Sequence, residues 1–181
     1  MTAPQLSLQL RTFTEDPDHD WAATLALGRA MDVAGVDRVV VSDHVVFGEN
    51  TDAYGDPRLG GISGGRQPTG PDGQWLEPLT VLTALAASTT SIRLGTAVLL
   101  AALRRPVVLA KQVATLDVLS GGRVDLGVGV GWQRAEYQAA GLPFSRRGRL
   151  LDHTLEVCET LWNNRSSTYR SAELEFDAIH Q

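Results

Sequence analysis

Three of the four β-prone runs in this chain, residues 38–42, 93–100 and 124–130, carry Val and Leu with almost no polar alternation. A strand that faces water on one side alternates apolar with polar residues, whereas a strand covered on both faces does not. Cover on both faces is the mark of parallel sheets joined by helical crossovers. The remaining run, residues 6–13, alternates through Leu6, Leu8 and Leu10. A helix-period segment follows each run. Residues 20–34 start acidic and close on Gly35, while residues 78–89 place Pro78 in a first turn behind Glu77. Residues 106–119 open on Pro106 and end in Ser120-Gly121-Gly122, and residues 147–163 carry Leu150, Leu151, Leu155, Val157, Cys158, Leu161 and Trp162. First-turn prolines and a glycine just past the last turn are helix-boundary signals. Strand and helix alternate four times, which predicts a parallel α/β architecture.

The strand starts near residues 6, 38, 93 and 124 are unevenly spaced. The first and third intervals have the length of one βα unit, and the second holds an insertion at residues 49–74. That stretch is rich in glycine, contains Pro57, Pro68 and Pro71, and has few aliphatic residues. Loops that follow strands in parallel α/β folds form the ligand-binding edge, so residues 49–74 are predicted to form a lid-like loop over a substrate.

With 43% hydrophobic and 20% charged residues the chain has enough apolar material for a core, which excludes disorder. A net charge of -5 with scattered positives gives no footprint for nucleic acid. The longest apolar runs fall far short of the roughly 20 residues that span a bilayer. A single cysteine, Cys158, and a start without a basic flank or apolar run lead to the expectation of a cytoplasmic protein with no membrane segment.

Chemistry concentrates at strand ends. Ser42-Asp43-His44 puts a carboxylate beside an imidazole at the carboxyl edge, where a His can exchange a proton or donate a hydrogen bond to a polar ring atom. The alternative is that Asp43 caps a turn and His44 packs against the next loop. Residues 94–98 are small, and Gly127, Gly129 and Gly131 alternate, which strips one strand face and admits a ligand or a neighbouring backbone. Those glycines miss the dinucleotide fingerprint because Trp132 stands where its third Gly belongs. No phosphate-binding P-loop occurs, and His19, His44, His153 and His180 lack metal-ligand spacing, so no metal is expected. Arg104 and Arg105 precede a helix start, where they could bind an anionic cofactor tail or remain solvated.

The order of these motifs resembles the bacterial luciferase-like oxidoreductase superfamily. It is carried by Ser42 to Phe47, by Arg93-Leu94-Gly95-Thr96, by Arg105-Pro106-Val107, by Leu116 to Arg123 with its Ser-Gly-Gly-Arg, and by Gly127 to Trp132. The likeness is strongest to the branch that uses the deazaflavin coenzyme F-420. The resemblance implies a (β/α)8 TIM barrel, with this chain (1–181) as the N-terminal part of one barrel domain, about four βα units. It implies that His44 lies near the deazaflavin ring and that Asp43 orients it or contacts the cofactor. Thr96, Ala97 and Val98 would contribute to cofactor binding, with a non-proline cis peptide joining Ala97 to Val98 behind the ring. Gly129, Val130 and Gly131 would border the ring. Trp132 occupies the place where the family's sugar-phosphate dehydrogenases carry a catalytic Glu, and it joins Asp43 and His44 as a candidate catalytic residue.

The function so implied is hydride transfer between coenzyme F-420 and a small organic substrate. FMN-dependent oxygenation with dioxygen is the alternative within the class. An inactive half barrel serving as an oligomerisation module is the alternative outside it. Four strands leave two open edges and an inner face expected to be rich in Val and Leu, so a homodimer, or a complement supplying the missing C-terminal half, is expected.

Overall fold

The computed structural model describes residues 4–59 and 61–180. Its centre is a four-stranded, wholly parallel sheet of β1 (Ser7–Gln9), β3 (Arg38–Val41), β5 (Arg93–Thr96) and β6 (Val124–Asp125), in the order β1-β3-β5-β6. Val39 pairs with Leu8 on one side and with Leu94 on the other, and Leu94 pairs with Val124. The helices that return the chain are α1 (Trp21–Val33), α2 (Pro78–Ala86) and α3 (Pro106–Ser120). After β6 come α4 (Arg134–Ala139) and α5 (Arg147–Asn163).

Local chemistry sets the helix ends. The Asp20 carboxylate accepts from the N–H groups of Ala22 and Ala23, and Glu77 accepts from Thr80 N, so each satisfies donors that α1 and α2 leave unpaired. Pro78 and Pro106 stand in first turns, where the missing N–H costs nothing. Gly121 closes α3 in the left-handed region at φ 70°, a conformation that glycine adopts without a Cβ penalty. The core lies between sheet and helices: Val39, Val41 and Leu94 pack with Leu82 and Leu85 of α2, Leu109 and Leu116 of α3, and Val157 and Leu161 of α5. Cys158 is buried there, which pushes its thiol up to about 11 and keeps it out of nucleophilic chemistry.

The structure corrects three expectations. Residues 6–13 are two strands, because the chain turns after Gln9 and β2 (Phe13–Thr14) pairs antiparallel with β4 (Gln74–Trp75), tying the end of the insertion to the start of the chain. Regular pairing in the fourth run stops at Asp125 and resumes only as a bridge between Leu99 and Val128. Beyond the last helix, residues 164–180 add an antiparallel hairpin, β7 (Ser167–Arg170) with β8 (Glu175–Ile179). Finally, the apolar side chains point to the helices, and the opposite sheet face bears Ser7, Arg38, Val40, Gly95 and Asp125 instead of a Val and Leu surface. There Asp125 receives both Arg38 and Arg93, the latter at 2.6 and 2.8 Å. Among the described residues no helix is long and apolar enough to cross a membrane.

One carboxylate couples the fold to pH. Asp32, at the end of α1, accepts from the N–H groups of Thr90, Ser91 and Ile92 and from the Ser91 hydroxyl at 2.7 to 3.0 Å. Burial opposes its charge, but the bonds from Ser91, Thr90 and Ile92 outweigh burial and hold the carboxyl far below the usual carboxylate range. A depressed folded value gives stability that is complete above the unfolded value, about 3.9, and drains away as pH falls below it. Urea unfolding at pH 5 and pH 2.5 should therefore show a smaller acid loss in Asp32→Ala than in the wild type. An equal loss in both would remove Asp32 from the account.

Candidate functional site

The carboxyl ends of β3 and β5, the Gly-rich segment after β6 and the insertion enclose a cavity of about 550 Å³, within the range of small-molecule sites. Asp43, His44, Ala97, Val98, Gly129, Val130, Gly131 and Trp132 all line it. Thr96 does not: its side chain turns into the seam between strands, where the hydroxyl donates to Gly127 O at 2.7 Å. The Ala97–Val98 peptide is cis. The glycines answer first to neighbouring chain. A Cβ on Gly127 would lie 2.2 Å from Thr96 O, and one on Gly129 would lie 2.6 Å from Val98 Cγ2. Close approach of the 96–98 segment therefore demands them, and the same absence of side chains leaves the cavity floor flat.

His44 is an enclosed imidazole on the cavity wall, with its side chain 8% exposed. Its ring packs at 4.4 Å on Phe47 and edge-on to Trp75 and Trp132 at 4.7 and 5.7 Å. Behind it stands a residue that the sequence reading did not single out, Glu136 of α4, which is 1% exposed. Glu136 Oε1 accepts from Val45 N at 2.8 Å and lies 3.2 Å from His44 Nδ1, an ion-pair distance at an angle outside hydrogen-bond geometry. Gln133 braces the same loop by accepting from Gly48 N at 2.9 Å. The Tyr137 hydroxyl donates to Val130 O at 2.7 Å, and burial pushes its phenol up to about 12, so it stays a donor. A six-residue helix thus holds both His44 and the Val130 segment.

Asp43 does not orient His44. Its carboxylate, 1% exposed, accepts from Leu100 N at 2.8 Å and from Arg104 at 2.6 and 3.2 Å. Arg104 also donates to Glu77 at 3.0 Å, which corrects its reading as a ligand for an anionic tail. Burial opposes the guanidinium charge, yet Asp43 and Glu77 more than offset it and hold that group above its ordinary value. Arg105 remains exposed.

The insertion contributes Tyr54, Arg66, Gln67 and Pro68 to the cavity, and Tyr54 meets Trp132 edge-on at 5.5 Å. Among the described residues, the Trp132 indole N–H and both amide atoms of Gln67 are buried without a partner. Leaving such a group unpaired costs about 1–3 kcal/mol, so their convergence on one cavity marks a place where a ligand brings the partners. Aromatic walls, a floor without side chains and orphaned polar atoms suit a flat heterocycle such as a flavin or deazaflavin ring.

The match of residues 6–180 to the model of the luciferase-like monooxygenase family decides the family. The chain belongs to it. An uncharacterised protein of Mycobacterium tuberculosis is 43% identical over 101 residues, 56% of this chain and 36% of that protein. A solved structure similar in fold is the oxygenating constituent of a type II Baeyer-Villiger monooxygenase from a Pseudomonas putida plasmid in complex with FMN. Its TM-score is 0.72 and its identity 16%, over 99% of this chain and 45% of that one. Another is an F420-dependent secondary alcohol dehydrogenase with an F420-acetone adduct, with a TM-score of 0.71 and 20% identity over 97% of this chain and 47% of that one. At those identities the likeness establishes the fold, a luciferase-like TIM barrel of which this chain spans about half.

Proposed function

We propose that this chain supplies the hydride-transfer half of a deazaflavin-dependent oxidoreductase, exchanging a hydride between coenzyme F-420 and a small organic substrate. The observation that carries the reading is His44, a buried imidazole on the cavity wall with the Glu136 carboxylate 3.2 Å from one ring nitrogen. The Glu136 carboxylate lies beside Nδ1, which makes Nε2 the ring nitrogen left for proton exchange. His44 then takes up, or returns, the proton that accompanies a hydride leaving or reaching the neighbouring substrate carbon. When bound, the deazaflavin supplies the hydride chemistry itself. Ala97, Val98, Gly129, Val130 and Gly131 would hold its ring, and Trp75, Phe47 and Trp132 keep water from the imidazole.

An FMN-dependent monooxygenase is the second reading, supported by the FMN-bound neighbour. Titration of the chain with oxidised F-420 and with FMN, followed by quenching of tryptophan fluorescence, separates the two. Saturable quenching by F-420 at concentrations at least tenfold below those needed for FMN is expected. The reverse order would transfer the proposal to FMN, and quenching by neither would remove the cofactor reading. The outer strands β1 and β6 each keep an open edge, and we propose that a second copy or a complementary half covers them.

A further inference from the structure

We infer that Gln67, together with Trp132, forms a subsite for a planar amide edge, a carbonyl flanked by an N–H, on a ring bound in the cavity. The inference deepens the proposed function, since it rests on this cavity being the reaction site. Gln67 has both its amide oxygen and its amide nitrogen buried without a partner, and Trp132 has its indole N–H in the same condition. A primary amide presents one acceptor beside one donor. The ligand that satisfies both at once offers a donor beside an acceptor, as a lactam or a cyclic imide does. A carboxylate would leave the Gln67 oxygen facing another acceptor, and an ammonium would leave its N–H groups unmet. Trp132 can only donate, so it takes a second acceptor such as the other carbonyl of an imide.

Gln67 is placed rather than loose. Pro68 follows it, Thr69 is 3% exposed with its hydroxyl accepting from Trp75 Nε1 at 2.9 Å, and Gly70 N donates to Glu15 Oε1 at 2.5 Å. These bonds tie the end of the insertion to β2 and β4. The aromatic rings of Phe13, Tyr54, Trp75 and Trp132 on the cavity wall favour a flat ligand. Two sources carry this edge, a lactam-type substrate and the pyrimidinedione end of a flavin-type ring.

The test uses four probes and two variants. 2-Piperidone and N-methyl-2-piperidone represent a substrate lactam with and without its N–H, and lumichrome and 3-methyllumichrome represent the coenzyme ring likewise. Dissociation constants are read by calorimetry in the wild type, in Gln67→Met and in Gln67→Glu. In the wild type, at least one N–H compound should bind about tenfold more tightly than its methylated partner. Gln67→Met should erase that ratio while leaving the methylated probe within about twofold, and Gln67→Glu should reduce it. The pair that shows the effect names the source. Gln67→Met should also unfold at the same urea concentration as the wild type or a higher one, because an unpaired buried amide is being replaced by an apolar chain of similar length. Equal affinities within both pairs, or a ratio that survives Gln67→Met, would overturn the subsite. These probes need no bound coenzyme, so a retained lactam ratio beside failed F-420 and FMN titrations would leave the amide subsite standing and remove only the oxidoreductase reading.

Discussion

His44→Ala should lower hydride transfer by about 10²- to 10⁴-fold in the assembled enzyme, the usual worth of a positioned general acid or base. The substitution removes a ring that packs on Phe47, Trp75 and Trp132, so part of any loss could come from a collapsed wall. Two readouts separate chemistry from packing. Added imidazole should restore part of the turnover to His44→Ala, because the vacated space admits the lost base. F-420 affinity should change by less than about tenfold, since the ring-holding residues on the 97–98 and 129–131 segments are untouched. Turnover equal to that of the wild type would end the role given to His44, and a large fall with no imidazole rescue would make it a packing residue.

The second large effect is on stability. Asp43→Asn should destabilise the fold by about 3–5 kcal/mol, the cost of breaking a buried ion pair and leaving one charge behind. Arg104 keeps Glu77 as a partner, but that carboxylate is 46% exposed and compensates only in part, which places the expectation near 3 kcal/mol. Asp43 also accepts from Leu100 N, a bond that the amide of Asn can retain through its oxygen. Removing both charges in Asp43→Asn with Arg104→Met should recover much of the loss, because an apolar replacement leaves no orphaned charge. Urea unfolding of the three variants measures this, and a single-variant cost under about 1 kcal/mol would show that the pair is not effectively buried.

The sequence by itself determined those parts of the protein that depend on neighbours along the chain. The span of α5 and the starts of α2 and α3 follow from periodicity, Pro78, Pro106 and Gly121, and the parallel order of four βα units follows from apolar runs that do not alternate. The Gly127 to Trp132 block carried the family likeness because its glycines answer to close approach, Gly127 to the Thr96 carbonyl and Gly129 to the Val98 side chain, a constraint that leaves a mark in the residue string. The tertiary structure alone decided what acts at the cavity. Glu136 meets Val45 across a separation of 91 residues, and α4 is too short to show a helical period. Asp43 and His44 are adjacent in sequence and both line the cavity, yet their side chains take different partners, one Arg104 and Leu100 N, the other the neighbourhood of Glu136. Alternation along a strand says which residues share a face. Which face the helices cover is settled only when they pack, and that is why the inner face is Arg38 and Asp125 where Val and Leu were expected. Gln67 carried no sequence signal, because an amide in a polar loop becomes informative only once folding has removed water from both of its atoms.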